Sequence, residues 1–335
     1  MKDPFASLSD ETRRKLRKRK HPEWVPPMLA TLTDEPFSDP DWIYEPKLDG
    51  VRCLAFRHAD RVRLLSRNRK SQNAFYPELV EAIAAQKARD FVVDGEVVAF
   101  HGRVTSFSRL QQRMKIADPG EALRSSVPVY YYGFDIVHLE GHDTMKLDLL
   151  ERKALLERAV EFGGPLRFSK HRNAKGEAYL KEACRKGWEG LIAKRADSVY
   201  VPRRSRDWLK FKCVTRQELV VGGWTEPQGG RVGLGALLVG VYDDEELRYA
   251  GKVGTGYDEE TLRDLGRRLS LIERKTTPFA DSDGVPRKGV HWASPKLVAE
   301  VGFTEWTPDG KLRHPRFLGL RSDKDPRDVV RERSR

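Results

Sequence analysis

Helical and strand patterns alternate along the first two-thirds of the chain. After Cys213 they give way to short strands broken by glycine-rich turns, with a single helix among them. One layered core does not serve both textures, so two domains are expected, and 335 residues are enough for each to bury its own core. In the first part, residues 51–56 and 61–65 flank a polar Arg-His-Ala-Asp turn and read as a hairpin. Residues 77–88 carry Leu79, Val80, Ile83 and Ala84 at helical spacing, and 106–115, 148–161 and 176–186 read as further helices. Strands are expected at 91–100, 128–139, 188–194 and 207–213. Helices interleaved with hairpin-connected strands imply an α+β class.

The second part reads as strands at 219–224, 235–242, 246–253, near 297–306 and at 312–314, with a helix at 258–271. About five strands and one helix in such a length fit an OB-fold β-barrel. The expected division is therefore a basic arm (1–21), an α+β domain (22–213) and a barrel (214–335).

Lys plus Arg number 62 against 50 Asp plus Glu, a net +12 that lies almost wholly ahead of residue 214. Such an excess favours a polyanionic partner. No apolar run approaches the ~18 residues of a membrane span, and the N-terminus is charged rather than signal-like. A cytoplasmic protein with no membrane partner is expected. Cys53, Cys184 and Cys213 form no CxxC pair, so neither a disulfide framework nor a zinc ribbon is expected. The eight histidines show no HExxH spacing, and all of them, the i, i+4 pair His138 and His142 included, read as surface or packing residues. The run at residues 13–20 lacks apolar periodicity. It is either a solvated arm or a phosphate-gripping one, with Arg13, Arg14, Lys15, Arg17 and Lys18 as contacts.

Glu45-Pro46-Lys47-Leu48-Asp49-Gly50-Val51-Arg52 places a lysine between acidic residues at a strand-to-turn junction. By itself this is an ordinary surface loop. A nucleophilic lysine would need its amine partly deprotonated, through burial or neighbouring cations. The chain supplies such companions in order: Ser66-Arg67-Asn68-Arg69 after the hairpin, Val93-Asp94-Gly95-Glu96 with carboxylates at a strand, and the aromatic strand Tyr130-Tyr131-Tyr132-Gly133-Phe134-Asp135. In Trp188-Glu189-Gly190-Leu191-Ile192-Ala193-Lys194, alternation puts Glu189, Leu191 and Ala193 on one face. Lys210 and Lys212 share a strand face, which is costly without an anion to neutralise them. Leu320-Arg321-Ser322-Asp323-Lys324 closes the series.

These six segments, in this order, resemble the motifs of the covalent nucleotidyltransferases: ATP-dependent DNA ligases, RNA ligases and capping enzymes. The Glu-Pro-Lys-Leu-Asp-Gly-Val-Arg segment, Phe-Ser-Arg-Leu-Gln-Gln-Arg (107–113) and Arg-His-Pro-Arg-Phe-Leu-Gly-Leu-Arg-Ser-Asp-Lys-Asp-Pro (313–326) are most similar to bacterial ligases of the LigD type. The resemblance covers residues 22–330. It implies an adenylyltransferase (ATP-grasp-like nucleotidyltransferase) domain followed by an OB-fold domain, using ATP and Mg²⁺, or Mn²⁺ in its place. It implies Lys47 as nucleophile, with Asp49, Lys210 and Lys212 in the catalytic set and the two lysines on the α-phosphate. Glu45 would accept from the adenine amino group, Phe134 would stack on the base, and Arg52 and Glu96 would lie near the ribose. Glu189 with Glu96 would hold the metal, Arg67 would bridge the adenylate and the 5′-phosphate of the nick, and Arg67 with Arg69 would meet the DNA. Arg321 and Lys324 would orient pyrophosphate. The partner implied is nicked double-stranded DNA, with a Ku-like end-binding protein as a candidate and a monomer as the expected state. An RNA ligase or capping enzyme is the alternative within the superfamily. A non-catalytic OB-fold nucleic-acid-binding protein is the alternative outside it, and it leaves the paired lysines and carboxylates without a purpose.

Overall fold

The computed structural model describes the chain apart from residues 1–2, 7, 214–215, 228–231, 282–283, 287 and 333–335. Val51–His58 and Arg61–Ser66 pair antiparallel across the turn, which Ala59 closes with φ 53°. Asp90–Val98 adds to the free edge of Val51–His58, and Tyr130–Leu139 pairs with Asp90–Val98. Arg17–Lys18, His142–Asp143 and Leu166–Phe168 complete a seven-stranded sheet. Its two faces separate by alternation, interrupted where the register between Asp90–Val98 and Tyr130–Leu139 shifts. Cys53, Ala55, Val93 and Val97 pack with Leu79, Ile83, Leu155 and Leu156 of the helices Pro77–Ala84 and Leu149–Ala159. Leu54, Phe56, Val92 and Phe134 face the other way.

A second, five-stranded sheet runs in the order Arg172–Asn173, Trp42–Pro46, Gly190–Arg195, Arg204–Lys212, Leu29–Leu32. Tyr44, Leu191, Ala193 and Phe211 bury one face against Tyr179 and Ala183 of the helix Gly176–Arg185. From the opposite face Trp208 packs with Leu54, Phe56 and Phe134. The first unit is thus two sheets face to face with polar residues admitted between them. The space between the sheets thereby holds buried charged side chains, Glu45, Asp94 and Lys194, beside apolar ones.

The described residues divide into two compact units after Cys213. The second has six strands: Glu246–Val253, Leu237–Asp243, Arg216–Thr225, Val290–Gly302 and Glu273–Arg274 in order, with Arg316–Leu320 also on Val290–Gly302. Its helix, Glu259–Ser270, is capped by Asp258, whose Oδ1 accepts the Thr261 N–H at 2.8 Å. Leu262, Leu265 and Leu269 bury the inner stripe of that helix.

Three expectations are corrected, and the arm is placed. The helix expected over 77–88 stops at Ala84. There the Arg57 guanidinium takes the Ile83 carbonyl (3.1 Å) and the Gln86 side chain ties Ala82 and Glu161 together, so the terminal groups are satisfied without another turn. The last strand lies at Arg316–Leu320 rather than 312–314, because His314 with φ 50° turns the chain after Leu312. Cys184 and Cys213, 29 residues apart, form a disulfide that joins the helix Gly176–Arg185 to the end of Arg204–Lys212. Sequence spacing hides such a pair because only the fold brings them together. The basic arm, finally, is seated. Ser9 caps the short helix Asp10–Lys15, the Thr12 hydroxyl donates to Glu151 (2.6 Å), Phe5 is buried, and Arg17–Lys18 pairs with His142–Asp143. Arg14, Arg17 and Lys18 stay exposed, whereas Arg13 meets Asp3 (3.0 Å) and Lys15 meets Asp148 (3.5 Å).

No described helix is long and apolar enough to cross a membrane.

Candidate active site

Lys47 leaves the end of Trp42–Pro46, its N–H donating to the Gly190 carbonyl at 2.9 Å. The turn beyond it is held from both sides. The Asp49 N–H donates to Thr105 Oγ1 (3.0 Å), and Asp49 Oδ2 accepts the N–H of Phe107, the first residue of the helix Phe107–Met114, at 3.2 Å. Gly50 is required because a Cβ there would run into the Val97 carbonyl. Through these two bonds Asp49, expected in the catalytic set, also holds the turn on which Lys47 stands.

The Lys47 ammonium is in ion contact with Glu189, whose side chain is only 5% exposed. Glu189 does not share the environment of Leu191 and Ala193, contrary to simple alternation. It precedes Gly190, whose φ of 149° breaks the pleat and whose missing Cβ admits the Phe211 carbonyl. The two aliphatic side chains therefore go to the helix side, and the carboxylate goes to the lysine.

Register decides what else lines this face. Ile192 stands opposite both Glu45 and Lys210, and Gly190 stands opposite Lys212. Glu45, Lys210 and Lys212 consequently occupy one face, the same face as Trp208. Glu45 is buried. Its Oε1 accepts from Lys153 at 2.7 Å, and its Oε2 accepts from Lys194 at 3.0 Å and from Ser169 Oγ at 2.8 Å. Burial alone would raise this carboxyl, but the two ammonium groups outweigh it and hold it down to about 2. Lys194, buried and repelled by Lys153, is pulled down to about 8 despite its contact with Glu45.

Across the space between the sheets, Arg52 makes a fork to Asp94, Nε to Oδ1 at 2.6 Å and Nη2 to Oδ2 at 2.5 Å, and donates to the Met28 carbonyl at 3.1 Å. Asp94 also accepts from the Tyr200 hydroxyl at 2.6 Å. Glu96 lies opposite Arg52 on one neighbouring strand and Tyr132 on the other. Phe134 is approached by two cations, the Arg52 guanidinium at 4.6 Å and the Lys194 ammonium at 4.4 Å from the ring centroid. A base stacking there must displace one of them. Arg67 is half-buried after Arg61–Ser66, while exposed Arg69 lies over the Trp24 ring at 5.2 Å.

In the second unit, Arg321 is 9% exposed, with Nε on Asp323 Oδ1 (2.9 Å) and Nη1 on Glu300 Oε2 (3.2 Å). Lys324 pairs with Glu218 at 3.0 Å. The structure therefore brings together Lys47 with Glu189 and Arg52 with Phe134, and holds Arg321 and Lys324 on carboxylates of their own unit.

Sequence reasoning missed Lys153, Lys194, Asp94 and Tyr200. Asp94 and Lys194 lay within segments the sequence singled out, but without a role; Lys153 and Tyr200 carried no signal.

Residues 27–212 match the family model described as the ATP dependent DNA ligase domain, more than half of the chain. The chain belongs to the ATP-dependent DNA ligases. The ligase also matches, over residues 230–324, the model of the ATP dependent DNA ligase C terminal region. Its two units are accordingly a nucleotidyltransferase domain and a C-terminal OB-fold domain. It is similar to the multifunctional non-homologous end joining protein LigD of Pseudomonas aeruginosa, 39% identical over 93% of this chain and 37% of that protein. The LigD of Mycolicibacterium smegmatis is 36% identical over 96% of this chain and 41% of that protein. The ligase thus spans about two-fifths of the length of these relatives. A solved mycobacterial DNA ligase D complexed with ATP and MES is 35% identical, with a TM-score of 0.65 over 92% of this chain and 98% of that one.

Proposed function

We propose that the chain seals breaks between a 3′-OH and a 5′-phosphate in duplex DNA, with Lys47 carrying the adenylate. The observation that carries this is the place of Lys47 at the end of a strand beside the sheet face that bears the cations Lys210 and Lys212, with the metal-binding type of carboxylate, Glu189, in contact with it. The Lys47 amine, once it has lost its proton, attacks the α-phosphorus of ATP. A P–N bond forms and the P–O bond to pyrophosphate breaks. An oxygen of the DNA 5′-phosphate then attacks the same phosphorus, releasing Lys47. Attack by the 3′-OH forms the phosphodiester and expels AMP.

Lys210 and Lys212 face the α-phosphate and offset charge as it develops. Adenine takes the Phe134 face, and Glu45, fixed by two lysines, presents its acceptor oxygens to the exocyclic amine. Arg52, oriented by its fork to Asp94, and Glu96 serve the ribose. Arg67 and Arg69 meet the nick, and Arg321 with Lys324 exchange their carboxylates for pyrophosphate. Glu189 and Glu96 offer hard carboxylate oxygens of the kind Mg²⁺ or Mn²⁺ takes, and such an ion would neutralise phosphate charge. The three segments 1–21, 22–213 and 214–335 act as arm, adenylyltransferase and OB-fold domain of a cytoplasmic monomer. Similarity to the LigD proteins supports a place in end joining, with a Ku-like protein as a candidate partner.

The test is transfer of label from α-labelled ATP to the protein, followed by closure of a nicked duplex. The wild type is expected to take label from ATP and not GTP, and Lys47→Ala to take none. Label retained in that variant, or intact labelling with no nick closure, sinks the reading.

A further inference from the structure

Four side chains that the active site does not use meet at the opposite end of the seven-stranded sheet. His58 ends Val51–His58, Asp90 begins Asp90–Val98, and His138 lies near the end of Tyr130–Leu139. The register sets His58 directly opposite Asp90, and Val92 opposite His138, so these strand ends are neighbours. His21 comes in from the segment that follows the basic arm. His21 Nδ1 lies 2.7 Å from Asp90 Oδ1, His138 Nε2 lies 3.1 Å from Asp90 Oδ2, and His58 Nδ1 lies 3.5 Å from Asp90 Oδ1. One donor atom from each of His21, Asp90 and His138 falls within 4.8 Å of the others. Donors around a tetrahedral zinc stand about 3.3 Å apart, given metal–ligand bonds of roughly 2.0–2.1 Å, and these separations bracket that value.

Burial makes the cluster more than a chance surface grouping. The side chains of His138, His21 and Asp90 are 1%, 8% and 18% exposed. His138 Nδ1 is buried with no hydrogen-bond partner among the described residues, so the polarity of the ring is answered only on the side of Asp90. Asp90 Oδ2 is oriented further by the Gly141 N–H at 3.0 Å. His58, more than half exposed, reaches Asp90 but lies outside the three-donor group, so it would have to turn inward to supply a fourth ligand from the solvent side. Six residues separate His58 from Arg52 along one strand, about 20 Å at the usual strand rise, which sets the cluster apart from the adenylate site.

We propose that His21, Asp90 and His138, completed by His58, bind a divalent transition metal of the zinc class and so fasten the root of the basic arm to the sheet. Imidazole nitrogens with one carboxylate suit zinc and cobalt(II), whereas the all-oxygen set at Glu189 and Glu96 suits magnesium. The arm is already tied to the same corner. Arg17–Lys18 pairs with His142–Asp143, and the Arg19 N–H donates to the Gly141 carbonyl at 2.8 Å. A metal there would convert these few hydrogen bonds into a fixed junction.

The test uses the full chain, stripped with chelator and titrated with zinc or cobalt(II) in excess Mg²⁺, which occupies the carboxylates of the adenylate site. One equivalent of metal is expected, with a visible tetrahedral cobalt spectrum and slower proteolysis within residues 13–20. His21→Ala, checked for an unchanged circular dichroism spectrum because the ring is largely buried, should weaken binding at least 100-fold, and the exposed His58→Ala about 10-fold. Glu189→Gln should leave it unchanged. Absence of binding under Mg²⁺, affinity unaltered in His21→Ala, or loss of binding in Glu189→Gln each overturns the proposal.

Discussion

Glu45 and Lys47 stand two residues apart, yet each is paired with groups far along the chain, Glu45 with Lys153 and Lys194 and Lys47 with Glu189. The Glu45 arrangement predicts an acid limb of stability. Its carboxyl is held at about 2 in the folded state against 4.5 when unpaired. With the folded value depressed, its contribution is complete above pH 4.5 and is lost as the pH falls towards 2. The shift corresponds to about 3 kcal/mol. Lys194 acts in the opposite direction at the alkaline end. Its folded value of about 8 lies below 10.5, so its burial penalty is present below pH 8 and is relieved as the pH rises through that window. Lys153→Met should remove one of the cations of Glu45, cost about 3 kcal/mol and move the acid unfolding midpoint upward, as read by circular dichroism across pH 2–5. Glu189→Ala should lower the rate of Lys47 adenylation by at least about 100-fold while shifting the melting temperature little. A variant that melts much earlier would instead mark Glu189 as structural.

At the scale of elements, the Cys184–Cys213 disulfide is the tie whose removal is simplest to read. It joins the helix Gly176–Arg185 to the end of the strand that carries Lys210 and Lys212. Closing a loop of this length is worth about 3–4 kcal/mol in the chain-entropy account. Reduction, or the pair Cys184→Ser and Cys213→Ser, should therefore lower the denaturant midpoint by the same amount. Unequal losses would show that the serines do more than remove the cross-link. Gly190→Ala is expected to be severe at the same junction, because φ 149° is foreign to alanine and its Cβ would meet the Phe211 backbone. Adenylation should fall with stability there, since the turn that strains is the one that delivers Glu189 to Lys47.

On the scale of the whole molecule, the net +12 is divided between seated and exposed cations. Deleting the arm is a poor test of DNA binding, because Phe5 and Thr12 are buried in the first unit. Neutralising exposed Arg14, Arg17, Lys18 and Lys20 together is the cleaner experiment. If each contacts a phosphate, the slope of log affinity against log salt should fall by roughly 0.9 per contact, about 3–4 in all, with Lys47 adenylation unchanged. An unaltered slope assigns DNA binding elsewhere.

The order of motifs and the change of texture at Cys213 determined the fold class and singled out Lys47 as the proposed nucleophile. Both depend on local periodicity and on residue types that sit close together in sequence. Lys47, Lys210 and Lys212 were legible for that reason. What only the tertiary structure decided is who stands against whom: Glu189 on Lys47, two lysines on Glu45, Asp94 behind Arg52, Cys184 on Cys213, and three histidines around Asp90. Each of these joins strands or helices whose pairing depends on register and sheet order, and a one-residue change in register would send the strand members, Glu45, Arg52, Asp94 and Lys194 among them, to the other face.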